Sequence, residues 1–122
     1  MPVTWFIRGS VMTLKVSDVV TNQEVDQAFA EALASDPSRR GLGLLWDASD
    51  SLTPLTSDDL AWRFRLVSSL AVRGILVRAA LVVRPQHSLL IGLAQTQLQT
   101  MIPGLPTEVF ADAAEALAWL ER

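Results

Sequence analysis

The sequence predicts an α/β fold: a mixed, mostly parallel five-stranded sheet with four helices, in the order β-β-α-β-α-β-α-β-α. Three observations predict it. Short runs of β-branched and aliphatic residues alternate with stretches of helical periodicity about 10–15 residues long, the pattern of right-handed βαβ crossovers. Two of the runs are continuously apolar, as strands covered on both faces are. The first two runs are separated only by Gly9-Ser10, a hairpin signal that adds one antiparallel edge to the sheet.

Taken in order, residues 3–8 and 11–16 read as the hairpin strands. Thr21, followed three positions later by Glu24, is a capping box. Behind it Val25, Ala28, Phe29, Ala32 and Leu33 repeat at helical spacing until Asp36-Pro37 ends the helix. Residues 42–46 form an apolar strand that stops at Asp47, and residues 48–54 read as a polar loop. A second helix starts near Thr56 or Ser57, with Asp58 and Asp59 in its first turn, where negative charge complements the helix dipole. Leu60, Phe64, Val67 and Ala71 form its inner stripe, and Gly74 closes it. Residues 79–83 are the next buried strand, stopped by Pro85. A third helix covers residues 87–101, with Leu90, Ala94, Leu98 and Met101 inward. After the Pro103-Gly104-Leu105-Pro106 turn come a short strand at residues 107–110 and a last helix through Leu120, opened by a capping box at Asp112 and Glu115.

Composition bounds the function. A chain of 122 residues matches the common size of one domain, so residues 1–122 are expected to fold as a unit. Half of the residues are hydrophobic and 19% charged, enough apolar surface for a core. The formal net charge of -3 argues against a nucleic-acid partner, which would need a basic footprint. The absence of cysteine excludes a disulfide framework, a thiolate metal site and a thiol nucleophile. No signal peptide is expected from Met-Pro-Val-Thr-Trp. No apolar run reaches the roughly 18 residues of a membrane span, and Arg78 interrupts residues 75–83. A soluble cytoplasmic protein without stable membrane insertion is the expectation.

Three segments carry a resemblance. Gly43-Leu-Leu-Trp-Asp47 precedes a Ser/Thr-rich loop. Ala80-Leu-Val-Val-Arg-Pro85 ends a strand. Glu108-Val-Phe-Ala-Asp-Ala-Ala-Glu-Ala-Leu-Ala-Trp-Leu120 runs from a strand ending in Phe, through an acidic cap, into the last helix. Together with the element order, they resemble the SpoIIAA-like family, whose fold is shared by STAS domains and, more distantly, by the lipid-binding Sec14 (CRAL-TRIO) domains. The resemblance implies protein–protein regulation on the STAS side and hydrophobic-ligand binding on the Sec14 side. In the anti-sigma-factor antagonists the regulatory phosphoserine lies in an Asp-Ser-Ser-Gly-like motif at a helix N-terminus. The matching stretch here is Leu55-Thr56-Ser57-Asp58-Asp59-Leu60, which makes Thr56 and Ser57 the candidate anion or phospho-switch positions. The glycine is missing and two acids follow, which would repel a phosphate.

Catalytic chemistry has little to work with. His87 is the sole histidine, and a lone histidine at a helix start reads as a solvent-facing residue in preference to a member of an acid–base set. Asp47, Arg84 and His87 lie near the carboxyl ends of strands and form a candidate polar site; Asp47 alternatively accepts hydrogen bonds from the next loop's backbone. Asp47, Asp50 and His87 lack the spacing of a metal motif, and no Gly-rich cofactor loop follows a strand. Arg39-Arg40 reads as a solvated turn. The second helix is the anomaly. At about 100° per residue, Trp62, Leu66 and Leu70 fall about 200°, 240° and 280° from Leu60, a second apolar stripe with Arg65 beside it. Either the third helix covers it or it is an interface of the composition favoured at hot spots, flanked by Arg63 and Arg65. Trp119 lies about 200° from Leu117 and either packs on the neighbouring hairpin or joins an exposed patch.

The leading expectation is a non-enzymatic binding or regulatory module acting through protein–protein contacts. Its partner would be another protein or a second copy in a homodimer. The alternative is a carrier of a small apolar, lipid-like ligand held between sheet and helices. Neither reading requires a cofactor.

Overall fold

The computed structural model describes residues 3–51, 57–84, 86, 88–101 and 104–122. The strands are β1 (Val3–Arg8), β2 (Val11–Asp18), β3 (Leu42–Ser51), β4 (Leu76–Val82) and β5 (Thr107–Phe110). The helices are α1 (Asn22–Ser35), α2 (Ser57–Val72), α3 (Ser88–Met101) and α4 (Ala113–Leu120), in the order the sequence implies. In the sheet the strands stand in chain order, β1-β2-β3-β4-β5. β1 pairs antiparallel with β2 through the turn at Gly9 and Ser10, and every later pairing is parallel.

Each strand has two faces, and the two faces have different coverings. Met12, Leu14 and Val16 of β2, Leu42, Leu44 and Trp46 of β3, and Ala79 and Leu81 of β4 point into the larger core. α1 closes it with Val25, Ala28, Phe29 and Ala32, α2 with Phe64, Val67 and Leu70, and α3 with Ile91. Val11, Leu45, Ala80 and Val82 point the other way and meet Ala116 and Leu120 of α4. Gly43 admits that helix, since a Cβ there would stand 3.1 Å from Leu120 Cδ2.

The helix ends follow local chemistry. The Thr21 hydroxyl accepts from Glu24 N at 3.1 Å, while the Glu24 carboxylate accepts from Thr21 N, completing the capping box. α2 ends in a Schellman motif. Gly74 N donates to the Ala71 carbonyl and Ile75 N to the Leu70 carbonyl, both at 3.0 Å, with Gly74 at φ 75°. α4 is capped by Asp112, which accepts from Ala114 N at 3.1 Å. The expected return bond from Glu115 is absent among the described residues, because Glu115 is turned out to solvent.

Three strand boundaries differ by two or more residues from the sequence expectation, the first being β2, which runs to Asp18 instead of ending at Val16. β3 does not stop at Asp47 but continues to Ser51, so residues 48–51 are strand and not loop. Lys15 pairs with Asp47 and Ser17 with Asp50, which places one extra residue on β3. The strand resumes pairing beyond this bulge. β4 begins at Leu76, three residues before the apolar run at 79–83. Arg78 is tolerated there because its guanidinium lies 5.5 Å from the Trp119 ring centroid and donates to the Trp119 carbonyl at 3.1 Å.

Candidate functional site

In a parallel sheet the helices begin where the strands end, and ligands of such sheets lodge along that rim. Here it is formed by the ends of β2, β3 and β4 and the starts of α1 and α2. β2 leaves the sheet at Asp18, whose φ of 54° is in the left-handed region that Asp tolerates better than most residues. The chain then turns into α1 at Thr21.

The polar residues expected at the strand ends meet a structural demand. Asp47 Oδ1 accepts from Ser49 N at 3.1 Å and from Ser49 Oγ at 2.6 Å. Arg84 Nε donates to the Ser49 carbonyl at 3.1 Å. Asp47 and Arg84 therefore converge on the backbone freed by the β3 bulge, one taking its N–H and the other its carbonyl. This matches the backbone-accepting role for Asp47. His87 lies outside the described residues. Thr56 also lies outside them, and so does the side chain of Ser57. No cluster of three metal-ligating side chains occurs among the described residues; Asp50 instead stands 3.5 Å from Lys15 Nζ.

The stripe expected on α2 divides. Leu70 is only 2% exposed, in the main core, which corrects its place among the interface residues. The reason is the Schellman motif: Leu70 accepts from Ile75 N, and this geometry brings the two side chains together inside. Trp62 and Leu66 are half-buried against the same core, and Arg65 is exposed. α3 lies against α2. Arg63, expected beside this stripe, is instead buried within the chain at 6% exposure. On the helical wheel Arg63 falls at about 300°, between Leu70 at about 280° and Val67 at about 340°. That position was the available signal. The inner arc of α2 runs from Leu70 round to Phe64 and takes an arginine with it.

Arg63 heads a small buried network. Its Cζ lies 5.9 Å from the Trp46 ring centroid, and Trp46 in turn meets Phe29 of α1 at 5.7 Å. Arg63 Nε donates to Asn22 Oδ1 at 3.3 Å, and Asn22 Nδ2 donates to Asp59 Oδ1 at 3.3 Å. The network joins β3, the first turn of α1 and the first turns of α2. Burial holds the guanidinium below its ordinary pKa, while the negative charge of Asp59 acts in the opposite direction.

Arg39 and Arg40 lie in the largely exposed α1–β3 connection, as a solvated turn would, and the Arg39 guanidinium also donates to the Gly9 carbonyl of the hairpin turn. One further expectation is corrected. Trp119 packs on Phe110 of β5 at 5.9 Å and under Arg78, not on the hairpin, because α4 covers β3, β4 and β5. In α3 Ile91 is buried although the inward set omitted it, while Leu89 and Leu93 are 79% and 62% exposed. The side chains of Leu90, Ala94, Leu98 and Met101 are outside the described ones. No described helix is long and apolar enough to cross a membrane.

No protein-family model matches the sequence, and no curated protein matches it. Among solved structures, an uncharacterised protein of the DUF3478 family with a SpoIIAA-like fold, from Shewanella loihica PV-4, is similar at a TM-score of 0.65 and 16% identity. The likeness covers 97% of this chain and 91% of that one. With the matching element order and the five-stranded mixed sheet, it shows that the chain has a SpoIIAA-like α/β fold.

Proposed function

We propose that the chain is a non-enzymatic binding module that works through protein–protein contacts, self-association included, and that the contact surface centres on α3. One observation carries this reading: residues 88–101 contain no charged side chain, yet Leu89 and Leu93, one turn apart, stand open to solvent. Burying each would contribute roughly 1.5–3 kcal/mol. The half-buried Trp62 and Leu66 and the exposed Arg65 on α2, the helix packed beside α3, supply the aromatic and guanidinium groups favoured at contact centres. The STAS resemblance, which implies protein–protein regulation, supports the same reading. The charge-free surface replaces the α2 stripe as the proposed centre because Leu70 is core.

Light scattering across a range of protein concentrations tests it, with wild type beside the double variant Leu89→Glu, Leu93→Glu. The expected result is a concentration-dependent dimer in wild type and a monomer of unchanged melting temperature in the variant. A wild type that stays monomeric while native mass spectrometry shows a copurified lipid would favour the carrier reading instead.

A further inference from the structure

The exposed side of α3 is ordered along a single line. Taking Leu89 as origin at about 100° per residue, Leu93 falls at about 40°, Thr96 at about 340°, Thr100 at about 20° and Gly92 at about 300°. The opposite side carries the buried Ile91 at about 200° and, at about 240°, Gln95, whose side chain donates to the Thr107 carbonyl. Leu89, Leu93, Thr96 and Thr100 are all exposed, and their spacings of four, three and four residues are those of a helix-pairing seam. Both threonines bond back into the helix: Thr96 Oγ1 donates to the Gly92 carbonyl at 3.2 Å and Thr100 Oγ1 to the Thr96 carbonyl at 3.0 Å. Their donors are thereby satisfied without water. Gly92 is the odd member. Glycine inside a helix is destabilising relative to alanine, yet a Cβ here would meet nothing within 4 Å, so the described packing of the chain does not call for it.

We infer that, on the binding reading of this surface given above, its partner is a second copy of the chain, with the two α3 helices crossing antiparallel at Gly92. The helix carries both halves of the match. Leu93 is an exposed knob, and the open space over Gly92, one position earlier, is the hole that takes it, so the complement of this surface is the same surface turned about a two-fold axis. When Leu93 seats over Gly92 of the second copy, Leu89 meets Thr96 of that copy, and each contact occurs twice. Residues 88–101 carry no charge, so the helix lies against itself without like-charge repulsion. A helix of 14 residues is about 21 Å long and about 10 Å across, so α3 alone offers on the order of 200 Å² of face. That falls short of the roughly 800 Å² per partner of a standard interface. Trp62 and Leu66 of the neighbouring α2 are half-buried and extend it only in part. The dimer is therefore a weak one, half-dissociated at about 10–100 µM.

Gly92→Ala separates this crossing from a face that is merely apolar, because stability and assembly should move in opposite directions. Within one chain the methyl enters open space on a helix, so at about 1 µM, where the protein is monomeric, the melting temperature should rise by about 2–4 °C. In the dimer two such methyls fill the holes, and sedimentation velocity from about 1 µM to about 1 mM should show association at least tenfold weaker than wild type. The chain has no cysteine, so introduced thiols act alone. Leu89→Cys combined with Thr96→Cys sets two thiols about 10.5 Å apart along one helix, too far to bridge within a chain. The antiparallel crossing brings them together between copies, so mild oxidation should give a covalent dimer, and either single variant little. Association of Gly92→Ala equal to wild type would overturn the inference. So would a single Leu89→Cys variant that cross-links as well as the pair, the mark of a parallel seam. If Leu89→Glu, Leu93→Glu still abolishes assembly in those cases, the binding reading of α3 stands without this crossing. A wild type that stays monomeric to about 1 mM would overturn the crossing and self-association together.

Discussion

Replacing Leu44 with Ala probes the centre of the sheet. Leu44 is 0% exposed, on the middle strand, with Met12 and Ala79 as its register neighbours on β2 and β4. Removing about three methylene equivalents forfeits about 2.4 kcal/mol of transfer free energy at ~0.8 kcal/mol each. Strands on both sides and helices above hinder collapse of the hole, which adds about 1 kcal/mol or more. The total is about 3–4 kcal/mol. An unfolding entropy of about 2.1 cal/mol/K per residue over 122 residues gives roughly 0.26 kcal/mol/K, so the melting temperature should fall by about 12–16 °C. Urea titration followed by tryptophan fluorescence measures the loss directly, provided the m-value matches wild type. Val72→Ala, at a position 77% exposed at the end of α2, is the control and should stay within about 0.5 kcal/mol. A Leu44→Ala loss below 1 kcal/mol, or one equal to the control, would refute the placement of β3 at the heart of the core.

Thr21→Ala removes the acceptor of the capping box and should cost about 1 kcal/mol, while Thr21→Ser should be nearly neutral; urea titration separates the two. Gly74→Ala forces a Cβ into the left-handed region at φ 75° and should cost about 1 kcal/mol, measured as a lowered melting temperature. Lys15→Met breaks the 3.5 Å contact with Asp50, whose side chain is 62% exposed, and should change stability by less than about 0.5 kcal/mol at any salt concentration.

The element order was legible because helix and strand periods differ and caps punctuate them. Thr21 with Glu24, Gly74 and the run at 107–110 each marked a boundary that the structure keeps. Continuations across polar residues were illegible. The sequence of β3 turns polar at Asp47, yet pairing with β2 resumes past a bulge whose backbone is held by Asp47 and Arg84, and no local signal announces such a remote fastening. Arg78 reads as an interruption until Trp119, 41 positions away, is brought beneath it. The site was harder still. Arg63 is long and charged, a type rarely buried alone, so its position on the inner arc of α2 was outweighed by its chemistry. Only the fold brings Asn22 and Trp46 to it.

The sequential strand order also shapes how the molecule comes together. Every new strand joins the one made just before it, so each addition closes a short loop and the sheet can grow outward from the hairpin as the chain is synthesised. The layer of α1, α2 and α3 is complete once β5 is in place, whereas the opposite face must wait for residues 113–120. Until then Val11, Leu45, Ala80 and Val82 form a bare apolar strip across three strands, the kind of transient surface on which nascent chains stick to each other or are held by chaperones. The eight residues of α4 thus end the period of greatest aggregation risk.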